Sequence, residues 1–346
     1  LDGYNEEVHC PFCESDDVTL MSLFGSAQLV RQFYCNKCKS AFEFIKWTEH
    51  SQGEEEVSKV ANHRNEAGVV GSGTMGAGIA QVLAVCGYNV ILFDVKEEIV
   101  SSSITGIHRR LDRLSEKNKL TVEQAELAKK RLRPVTALSE MKNCQFVIEA
   151  APEKIEIKKE IFMELDKHCI EEAILATNTS SFSVTEIGSI TKRPEKVAGL
   201  HFFNPVPLMP LVEVIKGERT SGNTMRKLTE LGREIGKIPV SCSDTPGFIV
   251  NRIARPFYNE ALKIRNERTA SAEQIDRIMK KAGGFKMGPF ELQDLIGIDI
   301  NFSTTVSVHE GFYGDSRFRP NYSQQRKVQA GQLGRKSGRG FYSYES

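Results

Sequence analysis

The sequence has 346 residues, a formal net charge of +1, 40% hydrophobic and 26% charged residues. That length exceeds one small core, so two or three domains of ordinary globular composition are expected. Near-balanced charge argues against a nucleic-acid partner, and no apolar run reaches the roughly 18 residues of a membrane span.

The chain opens at Leu1 without an initiator Met, as in a segment cut from something longer, and carries no secretory leader pattern. Of its eight cysteines, Cys10, Cys13, Cys35 and Cys38 are clustered. Cys86, Cys144, Cys169 and Cys242 are scattered among apolar segments and read as small buried hydrophobes. This usage favours a reducing cytoplasm over a disulfide framework.

Cys10-Pro11-Phe12-Cys13 and Cys35-Asn36-Lys37-Cys38 form two C-x-x-C knuckles. Four thiolates so spaced close a tetrahedron around a structural zinc, with no position open for catalysis. The alternative reading is a redox dithiol, which needs only one such pair. Val18–Leu20, Val30–Tyr34 and Ala41–Ile45 read as short ribbon strands. Basic and aromatic residues alternate here, but acids balance them, which leaves little case for nucleic acid. Val8-His9-Cys10-Pro11-Phe12-Cys13, Leu23-Phe24-Gly25-Ser26, Tyr34-Cys35, Cys38 and Phe42-Glu43-Phe44 resemble the C-terminal zinc ribbon of the PaaD-type subunit of the phenylacetyl-CoA ring-epoxidising system. The resemblance implies a fused remnant without catalytic duty, or a module that docks to phenylacetate-pathway proteins.

Ser51-Gln52-Gly53-Glu54-Glu55-Glu56 reads as an acidic linker. Polar residues at 62–66 then leave only Ala67-Gly68-Val69-Val70 as a first strand, expected to be short or frayed. Gly71, Gly73 and Gly76 follow as G-x-G-x-x-G, with Thr74 and Met75 inside the motif and an apolar-periodic helix behind it. Gly71 allows the turn, Gly73 lets backbone approach a pyrophosphate, and Gly76 lets the helix sit close to the sheet. A second strand, Tyr88–Phe93, ends in Asp94, at the distance where an acid bonds the ribose 2′-OH of NAD. The plainer alternatives are a glycine loop and a strand-end cap.

Ile104–Ser115 and the segment entered at Thr121 read as a basic helical hairpin that includes Lys117 and Lys119. It is either a solvated arm or a grip for a phosphorylated substrate such as coenzyme A. Phe146–Ala151, Ala173–Asn178, Val197–His201 and Leu211–Ile215 read as strands of a mostly parallel sheet, which binds ligands at the carboxyl ends of its strands. Asn178, Ser180 and His201 fall at such ends, with Glu153 just beyond another. Glu213, in the strand after His201, is the carboxylate offered to the imidazole's far N–H; a purely structural histidine is the competing reading. Asp244–Phe248 is a turn that either hinges or caps. Ile249–Leu262, Ser271–Ala282 and Leu292–Val308 read as helices of a separate domain, with Leu292, Leu295, Ile296 and Ile298 as a core stripe.

From Gly68 onward the chain resembles the 3-hydroxyacyl-CoA dehydrogenases of the short-chain 3-hydroxybutyryl-CoA type. The motifs that carry this are Gly71-x-Gly73-Thr74-Met75-Gly76, Ala176-Thr177-Asn178-Thr179-Ser180-Ser181 and His201-Phe202-Phe203-Asn204-Pro205-Val206-Pro207. They continue in Leu211–Ile215, Asp244–Arg252, Met287-Gly288-Pro289 and Leu333–Tyr342. The resemblance implies an α/β fold: a Rossmann-type NAD-binding domain at 67–243 plus an all-helical substrate-binding and dimerisation domain at 244–346, preceded by a ribbon at 1–50 and a linker at 51–66. It implies His201 as base and Glu213 as its orienting acid, Ser180 and Asn251 at the substrate oxygen, and Asn204 shaping the pocket. Glu153, Lys158 and Asn178 fall on the cofactor side, and Lys117 and Lys119 on the arm that grips CoA. The implied activity is NAD-dependent oxidation of (3S)-hydroxyacyl-CoA by a homodimer, with 3-hydroxybutyryl-CoA as substrate. The alternatives are 3-hydroxyadipyl-CoA in phenylacetate degradation, or a non-catalytic structural or docking protein.

Overall fold

The computed structural model describes residues 10, 13, 15–22, 30–45 and 66–344. The chain divides into two compact units, Leu1–Asn62 and His63–Ser346. The expected acidic linker lies outside the described residues.

In the first unit, β1 (Val18–Ser22), β2 (Val30–Cys35) and β3 (Ala41–Ile45) form an antiparallel sheet in that order. Such a sheet is too small to fold on apolar burial alone. The cysteines supply what is missing. The Sγ atoms of Cys10, Cys13, Cys35 and Cys38 all lie within 4.8 Å of one another, with Cys10–Cys38 at 3.5 Å and Cys13–Cys35 at 3.6 Å. Thiolates bound to zinc at about 2.3 Å stand roughly 3.8 Å apart at the corners of a tetrahedron. The donor set and its spacing therefore fit a structural zinc, and all four positions are filled by protein.

The second unit is built on a sheet of β4 (Glu66–Val70), β5 (Asn89–Phe93), β6 (Leu132–Val135), β7 (Phe146–Glu149), β8 (Ile174–Thr177), β9 (Val197–Phe202), β10 (Leu211–Lys216) and β11 (Ile238–Ser243). Its order is β11-β10-β9-β8-β7-β4-β5-β6. Neighbours are parallel except β9 and β10, which run antiparallel. Far from fraying, the short β4 is central, paired with β5 on one side and β7 on the other. Its successive side chains feed opposite faces, Val69 into one hydrophobic cluster and Val70 into another. Helix α1 (Thr74–Cys86) covers the first face with Ile79 and Leu83. The hairpin of α2 (Glu97–Glu116) and α3 (Val122–Lys130) follows. Thr121 caps α3 in a capping box completed by Gln124 rather than by an acid. Helix α4 (Ile155–His168) covers the other face with Phe162 and Leu165. Short α5 (Val184–Ser189) and α6 (Gly222–Glu234) complete the layers.

The remaining helices are α7 (Val250–Asn266), α8 (Ala272–Lys281), α9 (Pro289–Ile296), α10 (Ile298–Gly311) and α11 (Tyr322–Gln329). The helix expected over Leu292–Val308 is broken in two, because Gly297 adopts φ +105°, which a side chain would resist. The break also divides the expected core stripe: Ile298 is buried, while Leu295 and Ile296 are exposed. The strand Leu132–Val135 escaped the sequence reading, since its Arg133 and Pro134 hide the apolar pattern at an edge position.

Two expectations follow. Removing metal with a chelator should abolish the dispersed amide signals of residues 30–45 and leave the melting of the larger unit unchanged; signals that survive metal removal would contradict the zinc assignment. In the glycine turn, a Cβ on Gly76 would sit 1.8 Å from the Gly71 carbonyl oxygen. Gly76→Ala should therefore destabilise the larger unit by about 3 kcal/mol or more in urea unfolding.

Candidate active site

The site is assembled along the carboxyl edge of the sheet. At β4, Gly71 turns the chain with φ +94°, and Gly76 presses α1 against that turn. A Cβ on Gly73 would meet nothing within 4 Å. Helix α1 begins at Gly73 with no side chain capping it and no acid in its first turn. Its free N–H groups and positive dipole end suit an anion. They open onto a cleft of about 720 Å³ lined by Gly71, Gly73, Thr74, Met75 and Asp94, among others. Asp94 closes β5. Its Oδ2 accepts hydrogen bonds from the Ser72 backbone N–H at 2.9 Å and hydroxyl at 2.7 Å, and Oδ1 accepts from Val95 N–H. Oδ2 is thereby filled, and Oδ1 retains capacity for a ribose hydroxyl. The open glycine, uncapped helix and acid-ended strand together fit NAD.

At the end of β7 lies a group that the sequence reading missed. Glu149 is fully buried. Its Oε1 accepts from Ala151 N–H and from the Lys158 ammonium at 2.8 Å, and its Oε2 from the Thr177 hydroxyl at 2.7 Å. A carboxylate at the end of an apolar strand was the available signal. Lys158, itself 1% exposed, also pairs with Glu153 at 3.1 Å. Its ammonium is taken up by two carboxylates, Glu149 and Glu153.

Glu153 organises the loop after β8. Its Oε1 accepts from the Thr179 hydroxyl at 2.6 Å, the Ser180 N–H at 2.9 Å, the Ser181 hydroxyl at 2.9 Å and, more loosely, the Ser180 hydroxyl at 3.4 Å. Burial pushes the Glu153 carboxyl up, but the Lys158 charge and the Thr179 and Ser180 bonds outweigh it and hold it below the usual range. Asn178 Oδ1 accepts the Phe202 N–H at 2.8 Å, tying the β8 loop to the end of β9.

His201 and Glu213 stand directly opposite each other in the antiparallel β9–β10 register. His201 Nδ1 and Glu213 Oε2 are 2.7 Å apart, and both residues are buried. With Nδ1 donating, Nε2 is the ring nitrogen left to take a proton. Phe203 and Phe248 flank the ring, with centroids 4.6 and 5.9 Å away. The other oxygen, Oε1, accepts the N–H groups of Ile249 at 3.0 Å and Val250 at 2.9 Å. These are orphan donors of α7, whose N-cap residue offers no side-chain cap. The backbone of Asn251 thus lies in the first turn of α7, directly after the two amides held by the carboxylate that also holds His201. The 244–248 turn caps as well: Asp244 accepts from Ser183, Val184 and Thr185 at the start of α5, just past the Ser180 loop.

Asn204 is exposed in the β9–β10 connection, beside the cis Asn204–Pro205 bond. Lys117 and Lys119 are exposed in the turn between α2 and α3. Among the described residues, no ion pair or side-chain hydrogen bond links them to the His201 group.

Comparison with known proteins agrees with this geometry. The 3-hydroxyacyl-CoA dehydrogenase NAD-binding domain matches residues 66–245, and the C-terminal domain of the same family matches residues 247–344. The PaaD zinc beta ribbon domain matches residues 1–46. That match corrects the description of the ribbon as C-terminal: in this chain it is N-terminal and precedes the dehydrogenase. The 3-hydroxyadipyl-CoA dehydrogenase of Escherichia coli is 49% identical over 80% of this chain; the chain spans 58% of that relative's length. A probable 3-hydroxybutyryl-CoA dehydrogenase of Deinococcus radiodurans is 44% identical over 80% of this chain and 99% of its own. The crystal structure of (S)-3-hydroxybutyryl-CoA dehydrogenase from Ralstonia eutropha matches with a TM-score of 0.79 and 40% identity, covering 82% of this chain and 99% of that one. The glycine turn, the sheet-edge carboxylates and these matches lead to one assignment: the chain belongs to the 3-hydroxyacyl-CoA dehydrogenase family of NAD-dependent oxidoreductases.

Proposed function

We propose that this chain oxidises a (3S)-hydroxyacyl-CoA to the 3-oxoacyl-CoA, reversibly, with 3-hydroxyadipyl-CoA as its substrate. The observation that carries the activity is the buried His201–Glu213 pair, with α7 capped on the second carboxylate oxygen. The adipyl reading is supported by the 49% identical relative, named for that activity; 3-hydroxybutyryl-CoA is supported by the relatives at 44%.

In this reading His201 Nε2 accepts the hydroxyl proton, and Glu213 stabilises the imidazolium that results. Ser180 and Asn251 hold the C3 oxygen, and Asn204 borders the acyl chain. Gly71, Gly73, Thr74, Met75, Gly76 and Asp94 bind the nucleotide, with Glu153, Asn178 and, through Glu153, Lys158 at its far edge. NAD, when bound, supplies the hydride acceptor. Lys117 and Lys119 are the proposed CoA contacts on the arm. Domain limits at 1–50, 51–66, 67–243 and 244–346 follow the same reading. So does a homodimer, favoured by exposed Ile253, Leu295 and Ile300 on the helical domain; a monomer at micromolar concentration by light scattering would rule it out. No helix among the described residues is long and apolar enough to cross a membrane. We place the chain in the cytoplasm, where its ribbon links it to phenylacetate-pathway proteins; reconstituted binding to those proteins that persists without residues 1–50 would refute the link.

Steady-state rates with both CoA thioesters test the substrate; a lower kcat/KM for 3-hydroxyadipyl-CoA than for 3-hydroxybutyryl-CoA would reject the adipyl reading. His201→Gln should lower kcat by about 10³-fold while NADH affinity by fluorescence titration is kept. Glu213→Gln should lower kcat similarly and also reduce thermal stability, because it weakens both the imidazole bond and the α7 cap. Glu153 has a depressed folded-state pKa, so its stabilisation is complete above the unfolded value of about 4.3 and is lost as pH falls through the folded value. Glu153→Gln should flatten that part of the acid limb in pH-dependent melting.

A further inference from the structure

Helix α7 carries a buried charge that the mechanism above does not use. Arg255 lies one turn beyond Asn251, on the same face, and is 2% exposed. A long helical side chain covers the turn N-terminal to its own Cα. Accordingly, Arg255 Nε donates to the Asn251 carbonyl oxygen at 3.1 Å. Its NH1 donates to the Asn301 carbonyl oxygen at 2.8 Å and to the Thr305 hydroxyl at 2.9 Å, both on α10. The guanidinium carbon stands 5.0 Å from the Tyr258 ring centroid.

Missing from this inventory is an anion. Among the described residues no carboxylate pairs with Arg255, and no hydrogen bond uses its NH2. Burial pulls the guanidinium pKa down to about 10, against a smaller opposing contribution from Tyr258, and it stays charged at neutral pH. A buried cation held only by neutral acceptors is destabilising unless something negative joins it. A guanidinium presents a planar fork suited to a carboxylate.

Its distance from the chemistry is also suited to the task. Asn251 begins α7 on the carboxylate that holds His201, and Arg255 follows four residues later, about 6 Å along the axis. Because the side chain runs back over that turn, the guanidinium itself stands beside the Asn251 carbonyl, in the turn whose first amides share the Glu213 carboxylate with His201. We propose that Arg255 recognises the terminal carboxylate of a dicarboxylic 3-hydroxyacyl-CoA, and so sets the preference for the adipyl chain over an unsubstituted one. This rests on the dehydrogenase reading above and adds to it the residue that discriminates.

The test compares chains of equal length that differ only at the far end. Adipyl-CoA and hexanoyl-CoA are titrated as competitive inhibitors of the wild-type enzyme, with adipyl-CoA expected to bind at least about 10-fold more tightly. Arg255→Met should lower the ratio of kcat/KM for 3-hydroxyadipyl-CoA over 3-hydroxybutyryl-CoA by about 100-fold, and Arg255→Lys should restore part of it. Equal inhibition by the two thioesters in the wild type would overturn the proposal even if the methionine variant does not fold. A preserved ratio in that variant would overturn it too; if its oligomeric state also shifts on size exclusion, the guanidinium serves a subunit contact. Wild-type enzyme inactive on both thioesters would instead refute the dehydrogenase reading, a separable result.

Discussion

Glu213 is buried with both of its oxygens committed. One holds the Nδ1 side of His201, and the other closes the first turn of α7. A single carboxylate thus ties the sheet to the start of α7. A buried charge is stable only when hydrogen-bonded on all sides, and three donors supply that here. Losing one partner of such a group costs about 3–5 kcal/mol, since the remaining charge is left uncompensated. The same constraint fixes the imidazole tautomer and the position of the first turn of α7.

The cofactor side follows the same logic with a different set of groups. Lys158 bridges Glu149 below and Glu153 above. Glu153 gathers Thr179, Ser180 and Ser181. The Ser180 hydroxyl is therefore the end of a chain of contacts that starts in the core of the sheet. Such fully satisfied networks hold a geometry more firmly than isolated pairs do. Asp244, at the other side of the loop, fixes α5 and the turn into α7 together.

Much of this was legible in the residues themselves. The glycine turn, Asp94, the two cysteine knuckles and the His201–Glu213 opposition are local patterns with local causes. What escaped depends on tertiary placement. Leu132–Val135 joins the sheet at its edge, where a proline and an arginine are tolerated and the apolar signature is thin. Gly297 divides what periodicity joins. Lys158 carries the chemistry of a ligand contact, yet Glu149 and Glu153 take up its ammonium once α4 folds against the sheet. Arg255 reads as one more basic residue on a polar helix until its burial is known.

The β9–β10 pair is the antiparallel step in an otherwise parallel sheet. His201 and Glu213 occupy one rung of that ladder, so strand pairing sets their separation and no loop does. A swing of the helical domain about residues 244–249 would stretch the two amide bonds to Oε1 and leave the imidazole bond in place. In the proposed reaction, such a swing would leave the orientation of the imidazole unchanged from one turnover to the next, with only its proton to be given up.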